Sequence, residues 1–162
     1  PAIKTEKDKK SLRDAINENI IDSIATDHAP HLPKDKEGGA LKAASGIPTL
    51  QYSLVNMLQL VDEGAFTLET VVDKMCHAPA KIFRIKKRGF IRKGYAADLV
   101  LLNPNKKWRV TKENILSKCG WSPFEGNTYN WSIDKTFVNG NLLYSQNKVI
   151  NTHKGELLAF DR

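Results

Sequence analysis

A chain of 162 residues, 41% of them hydrophobic, can bury one core, or parts of two that lean on further sequence. No apolar run approaches the length of a membrane span, which excludes a helical membrane protein from this reading. The net charge of +7 sits in residues 86–162, with 14 Lys/Arg against 6 Asp/Glu. Those cations come in short groups (Lys86-Lys87-Arg88, Arg92-Lys93, Lys106-Lys107) beside Gly or Pro turn signals, so they read as solvated loops between strands rather than a nucleic-acid face.

Cys76 and Cys119 are isolated, with no CxxC spacing. They read as reduced thiols of a cytoplasmic protein. The chain opens on Pro1-Ala2-Ile3-Lys4 without a Met or a visible signal peptide, a start that trimming or proteolysis would explain.

In chain order, Lys10 to Asn19 shows helical spacing, with Leu12, Ala15 and Ile16 on one side and Asp14 and Glu18 on the other. Ile20-Ile21-Asp22-Ser23-Ile24-Ala25 is short, apolar and β-branched, and reads as a buried strand. The prolines of Thr26-Asp27-His28-Ala29-Pro30-His31-Leu32-Pro33 stop it. A loop follows from Lys34 to Gly46. Thr49 to Glu63 is then an amphipathic helix with Pro48 suited to its first turn and Gly64 closing it. A second helix runs from Thr67, as N-cap, to Cys76. His77-Ala78-Pro79 is expected to interrupt it before a short turn at Ala80-Lys81-Ile82-Phe83.

The character changes at Lys86, where Gly and Asn punctuate runs that read as strands: Asp98 to Leu102, Lys107 to Val110, Lys135 to Val138 and Leu142 to Tyr144. Val138-Asn139-Gly140-Asn141 is a hairpin signal. Residues 1–85 therefore read as α/β and residues 86–162 as all-β. Trp108, Trp121 and Trp131 fall in strand-like or turn segments, where core or interdomain packing is the better reading than base stacking. Cys76 and His77 are chain neighbours at a helix end and do not face each other, so a packing role is preferred for His77 over metal binding. His153 has no ligand partner near it in sequence.

Asp27-His28-Ala29-Pro30-His31 places a carboxylate and two imidazoles directly after the apolar run. In parallel α/β sheets and barrels, sites are built at the C-terminal ends of strands. There Asp and His can ligate metal, transfer protons or bind a polar substrate. From the residues alone, a polar loop with two surface histidines stands equally open.

Ile24-Ala25-Thr26-Asp27-His28-Ala29-Pro30-His31 resembles the DHAPH signature of the dihydroorotases, cyclic amidohydrolases of the amidohydrolase superfamily; hydantoinases and allantoinases share the Asp-His pair but usually differ after it. The likeness extends along nearly the whole chain. Pro1-Ala2-Ile3-Lys4-Thr5 is similar to the end of the family's Asn-Pro-Pro-Leu-Arg segment, and Ala44-Ser45-Gly46-Ile47-Pro48-Thr49 to its second substrate loop. Ala78-Pro79-Ala80-Lys81-Ile82-Phe83 and Gly94-Tyr95-Ala96-Ala97-Asp98-Leu99-Val100-Leu101 resemble the passage out of the barrel. Ser122-Pro123-Phe124-Glu125-Gly126 and Thr136-Phe137-Val138-Asn139-Gly140 complete the match.

The resemblance implies the C-terminal part of a (β/α)8 TIM-type metal-dependent hydrolase barrel (residues 1–85), with the C-terminal strands of a composite β-sandwich (residues 86–162). It implies the reversible hydrolysis of L-dihydroorotate to N-carbamoyl-L-aspartate in pyrimidine synthesis. Asp27 would be the catalytic aspartate, touching the metal centre and shuttling a proton from metal-bound hydroxide to the leaving nitrogen. His31 would bind the substrate's carboxylate or ring carbonyl, Ser45 and Gly46 would contact the ring through their backbone, and Ser45 departs from the Phe often found there. His28 is read as structural.

The implied cofactor is zinc, one or two ions in the parent. This sequence lacks the family's His-x-His pair, and Asp27 alone cannot hold zinc when catalytic sites need about three protein ligands, so the expectation is an inactive, metal-free fragment. Partners are expected to be a small-molecule substrate and possibly further copies of the chain, with no nucleic acid and no membrane. A non-catalytic homologue, or another cyclic amidohydrolase, remains the alternative.

Overall fold

The computed structural model describes residues 3–150 and 153–161. Pro1 and Ala2, which open the Asn-Pro-Pro-Leu-Arg resemblance, lie outside the described residues. Among those described, the α-helices are α1 (Glu6–Asn17), α2 (Ser53–Asp62), α3 (Leu68–Val72) and α4 (Ala78–Ile82). The strands are β1 (Leu99–Asn103), β2 (Trp108–Arg109), β3 (Thr128–Tyr129), β4 (Ser132–Val138), β5 (Asn141–Ser145) and β6 (Lys148–Val149). They gather into two compact units, each built from separate stretches: residues 1–24, 60–103 and 133–162 in one, residues 25–59 and 104–132 in the other.

In the first unit α1 starts a turn earlier than its apolar spacing predicts, because Thr5 and Asp8 cap it reciprocally. Thr5 Oγ1 accepts from the Asp8 amide at 3.1 Å, and the Asp8 carboxylate accepts from the Thr5 amide at 3.0 Å. The bonds from Thr5 hold the Asp8 carboxyl below its ordinary value. Thr67 caps α3 as expected, accepting from the Thr70 amide at 3.1 Å.

The expected break at His77-Ala78-Pro79 does not occur. A π-helical turn, Asp73–His77, carries α3 straight into α4, with the Ala78 amide reaching back to the Asp73 carbonyl. A proline ring clashes with the carbonyl one helical turn back, and the widened turn ahead of Pro79 relieves that clash. Gly89 packs against this stretch so closely that a β-carbon there would lie 2.4 Å from Ala80 Cβ and 2.9 Å from the Cys76 carbonyl oxygen, at a φ of +79°.

The sheet of this unit has the order β1-β4-β5-β6. Asn139 and Gly140 adopt φ angles of 50° and 80° between β4 and β5, as the Asn-Gly signal predicts, and Val138 pairs with Asn141. The Asp98 carboxylate accepts from the Asn139 amide at 2.8 Å and pairs with Arg88, tying the hairpin to the start of β1. A second tight turn at Gln146-Asn147, φ 51° and 60°, joins β5 to β6. It lacks a glycine and gave no sequence signal. Phe160 bridges Ile85 in antiparallel fashion.

The expected strand is corrected as well. Ile20–Ala25 is not a strand and is not buried: Ile20 is 69% exposed, the chain bends at Ile21, and the segment joins no ladder. Its tie to the π-helical turn is the bond from the Ile24 amide to the Lys74 carbonyl at 3.0 Å. Apolar β-branched residues make a strand only where a neighbouring strand takes their backbone groups; here the Ile20 and Ile21 amides go to the Ala15 carbonyl and the Ile24 amide to Lys74, and no described strand lies alongside.

The second unit is organised around Tyr52, 1% exposed, in the 3₁₀ turn Leu50–Tyr52 that leads into α2. The helical stretch thus begins with that turn and not at Thr49, and Pro48 precedes it. The Tyr52 ring stacks on Trp108 and Tyr129 with centroids 6.3 and 6.5 Å away, and meets Phe124 edge-on at 5.4 Å. β2 and β3 pair antiparallel and bring Trp108 opposite Tyr129. Trp108 Nε1 donates to the Trp131 carbonyl at 2.8 Å, so Trp108 packs in a core, as expected. Burial pushes the Tyr52 and Tyr129 phenols up.

Two outcomes test this packing in urea unfolding of the chain. Gly89→Ala should cost about 2 kcal/mol more than Gly94→Ala, because both are strained by positive φ but only the former meets atoms; equal costs would refute the close approach. The buried Tyr52 hydroxyl lies near Ser122 but makes no well-formed hydrogen bond with the described residues, whereas that of Tyr129 donates to Asn56 Oδ1. Tyr52→Phe should therefore be neutral or stabilising and Tyr129→Phe should lose about 1 kcal/mol; the reverse order would sink this account.

Candidate functional site

The segment Asp27–His31 and the segment Ser45–Thr49 are held side by side in the second unit. His28 and Ile47 form a parallel bridge, and the Ala29 amide donates to the Ile47 carbonyl at 3.0 Å. Gly46 permits this approach: its φ is +95°, and a β-carbon there would sit 2.5 Å from Ala29 Cβ. Thr49 Oγ1 donates to the Thr26 carbonyl at 2.7 Å. His28 Nδ1 accepts from the amides of Thr49 and Leu50 at 3.0 and 3.1 Å, filling donors left open at the head of a helical segment. That is the structural role the sequence reading preferred for His28.

Asp27 is exposed, in a left-handed conformation with φ +45°. Its carboxylate makes no hydrogen bond or ion pair with the described residues, and neither does the half-buried imidazole of His31. The backbone of His31 is fixed instead: its amide donates to the Ala29 carbonyl at 2.9 Å, and its carbonyl accepts from Trp121 Nε1 at 2.8 Å. The amides of Ser45 and Gly46 also donate to no described residue. The structure therefore joins the strips carrying these four residues through their backbones and joins none of their side chains to another.

Sequence reasoning missed the residues that hold the loop. Lys36 Nζ donates to the carbonyls of Ala44 and Gly46, and the Ala44 amide donates to the Asp35 carbonyl at 2.8 Å. The Asp35 carboxylate accepts from the Leu32 amide at 3.0 Å. Lys36 sits in a charged run where nothing in composition distinguishes it from Lys34. Thr49 stands at the N-cap position of the 3₁₀ turn but makes no side-chain cap bond; its hydroxyl goes to the Thr26 carbonyl, a partner that no local signal names.

The metal fit is incomplete. Among the described residues no group of three or more His, Cys, Asp or Glu side chains comes close enough to hold a metal ion, whereas a catalytic zinc site takes about three protein ligands. Asp27 is one free donor, and the described residues do not make a metal site by themselves. His77 stacks on Phe90, with centroids 4.3 Å apart and planes at 9°, which agrees with a packing role. An open cleft of about 700 Å³ lined by Arg84, Ile85, Lys86, Lys87, Tyr95 and Asp161 belongs to the first unit and contains none of the candidate site residues. In it Lys86 is already paired with Asp161 at 2.9 Å. No helix among the described residues is long and apolar enough to cross a membrane.

Comparison with known proteins adds to this geometry. Residues 3–143 match the amidohydrolase family. The chain is 33% identical over 159 residues to the dihydroorotase of Pyrococcus furiosus, covering 98% of this chain and 37% of that protein. To the dihydroorotase of Syntrophus aciditrophicus it is 39% identical over 146 residues, covering 90% of this chain and 34% of that protein. In structure it is similar to the L-hydantoinase (dihydropyrimidinase) of Arthrobacter aurescens, with a TM-score of 0.87 and 30% identity over 93% of this chain and 34% of the other. The chain thus spans a little over a third of the length of these relatives, and the fold is a partial α/β fold of their kind.

Because Nδ1 of His28 is an acceptor, its neutral ring should carry the proton on Nε2. Long-range ¹⁵N NMR of the imidazole should show that tautomer, and an Nδ1–H signal would contradict the capping geometry.

Proposed function

The chain belongs to the amidohydrolase family, and on that footing we propose that it is the C-terminal part of a dihydroorotase. The parent would interconvert L-dihydroorotate and N-carbamoyl-L-aspartate. One observation carries the reading: the Asp27–His31 signature occurs in a chain 33–39% identical, over 90–98% of its length, to proteins named dihydroorotase. On this reading residues 1–85 belong to a (β/α)8 barrel and residues 86–162 to a β-sandwich, each completed by chain outside this sequence. The free cysteines Cys76 and Cys119 support a reducing, cytoplasmic compartment. Assembly into a homo-oligomer is part of the same proposal.

Within this chain, Asp27 is the catalytic group. Its unengaged carboxylate accepts a proton as water adds to the ring amide carbon, and returns it to the ring nitrogen as the C–N bond breaks. His31 faces the substrate's carboxylate or ring carbonyl, and Ser45 and Gly46 offer two unused backbone donors to the ring. Zinc, one or two ions, would polarise the amide and activate water in the parent. Asp27 would supply one ligand and other parts of the parent the rest, which agrees with the incomplete donor set found here.

The likeness to L-hydantoinase fits a reading as a sister cyclic amidohydrolase equally well and does not favour it. Assay of the full-length protein with dihydroorotate, hydantoins and dihydropyrimidines separates the readings. Turnover of dihydroorotate is expected, and Asp27→Asn should lower kcat by roughly 10²–10⁴-fold with bound zinc measured alongside. Turnover of hydantoin alone would move the assignment to the sister activity. A folded parent with no turnover of any of these would make it a non-catalytic homologue.

A further inference from the structure

Most lysines of this segment are ordinary surface cations: Lys34 and Lys42 are exposed and make no hydrogen bond or ion pair with the described residues. Lys36 differs. It ends the short 3₁₀ turn Pro33–Lys36, is half-buried, and turns its ammonium inward onto the carbonyls of Ala44 and Gly46, the two residues that flank Ser45. The same ammonium stands 5.8 Å from the centre of the Trp121 ring, within reach of a cation–π attraction. The indole N–H of Trp121 donates to the His31 carbonyl at 2.8 Å. One cation and one indole therefore connect the two strips that carry His31, Ser45 and Gly46, the residues assigned to substrate contact. Ordering a lysine side chain costs entropy, and here two charge-assisted bonds and a ring face offset it.

We propose that Lys36 is a positioning residue of the substrate loop and that Trp121 couples it to His31. By drawing the Ala44 and Gly46 carbonyls onto itself, the ammonium fixes the Ala44–Ser45 and Gly46–Ile47 peptide groups, which bracket the Ser45–Gly46 peptide. The Ser45 and Gly46 amides, which donate to no described residue, are thereby held ready for a polar acceptor of a cyclic amide. Lys36 touches no reacting atom and acts through the loop. The inference rests on the assignment of Ser45, Gly46 and His31 as substrate contacts.

The test uses the full-length protein, with hydrogen exchange of the peptide spanning residues 38–46 and steady-state kinetics on dihydroorotate. Lys36→Met should speed exchange of that peptide about tenfold and raise KM about tenfold, with kcat changed less than about threefold. Trp121→Phe, which keeps a ring face but loses the bond to His31, should raise KM by a smaller factor. Lys36→Arg, keeping cation and donors, should remain within about threefold of wild type in KM, and it carries the test should the Met variant fold poorly. Lys34→Met should match wild type.

Exchange at the wild-type rate in Lys36→Met would overturn the clamp. Faster exchange with unchanged KM would reduce it to a structural tie and overturn its part in binding, and so would a loss confined to kcat or no recovery in the Arg variant. A wild-type protein that does not turn over dihydroorotate would remove the functional reading itself. That failure shows in the control, before any variant is compared.

Discussion

The His28 imidazole does what a β-ladder does elsewhere in proteins. By accepting from two amides at the head of the helical segment, it pins the strip that carries Asp27 and His31 beside the strip that carries Ser45 and Gly46. Buried backbone donors and acceptors must find partners, and in this stretch regular structure supplies few. Side chains take over: Thr49 reaches the Thr26 carbonyl, Asp35 the Leu32 amide, Lys36 the carbonyls around Ser45, and Trp121 the carbonyl of His31. Gly46 makes room for the arrangement, because any β-carbon there would run into Ala29.

This loop stands on a core of a different kind. Tyr52 sits in the first turn of the helical stretch that follows the pinned strip, and its ring is enclosed by Trp108, Phe124 and Tyr129. Aromatic rings bury a large area on few rotatable bonds, which suits a unit whose own strands, β2 and β3, are two residues long. Gln51 extends the same anchorage, donating to the Asn114 carbonyl and accepting from the Leu116 amide. The helix start is thus fixed from both its core side and its loop side, and the loop inherits that rigidity.

The family relationship gives these features a direction. Asp27, His31 and the Ser45–Gly46 amides are groups able to bond that use none of that capacity within the described residues, and Ile20–Ala25 has strand composition without a strand partner. Each is a half of an interaction. The chain spans little more than a third of its relatives' length, and the proposed function assigns Asp27 to metal and proton transfer and His31 and the Ser45–Gly46 amides to substrate. The first unit is more self-contained, with a four-stranded order β1-β4-β5-β6 and a continuous helical run from α3 through α4.

Much of this was legible locally. Thr67 as a cap, Gly64 after α2, the Asn139-Gly140 hairpin and the β1, β4 and β5 strands follow from residue types whose backbone preferences act over a few positions. The Asp27–His31 motif was equally plain, as was its resemblance to a family. The rest depended on neighbours distant in sequence. Pro79 reads as a helix break, yet a π-helical turn absorbs it. Ile20–Ala25 reads as a strand, yet a strand exists only with a partner. Lys36 and Trp121 look like a surface charge and a packing ring until the carbonyls of Ala44, Gly46 and His31 are placed against them. The sequence by itself determined which residues can do chemistry and which short segments turn or coil, because those are properties of side chains and of φ and ψ. Only the tertiary structure decided which backbone groups those side chains hold, because a hydrogen bond is set by position in space and not by separation along the chain.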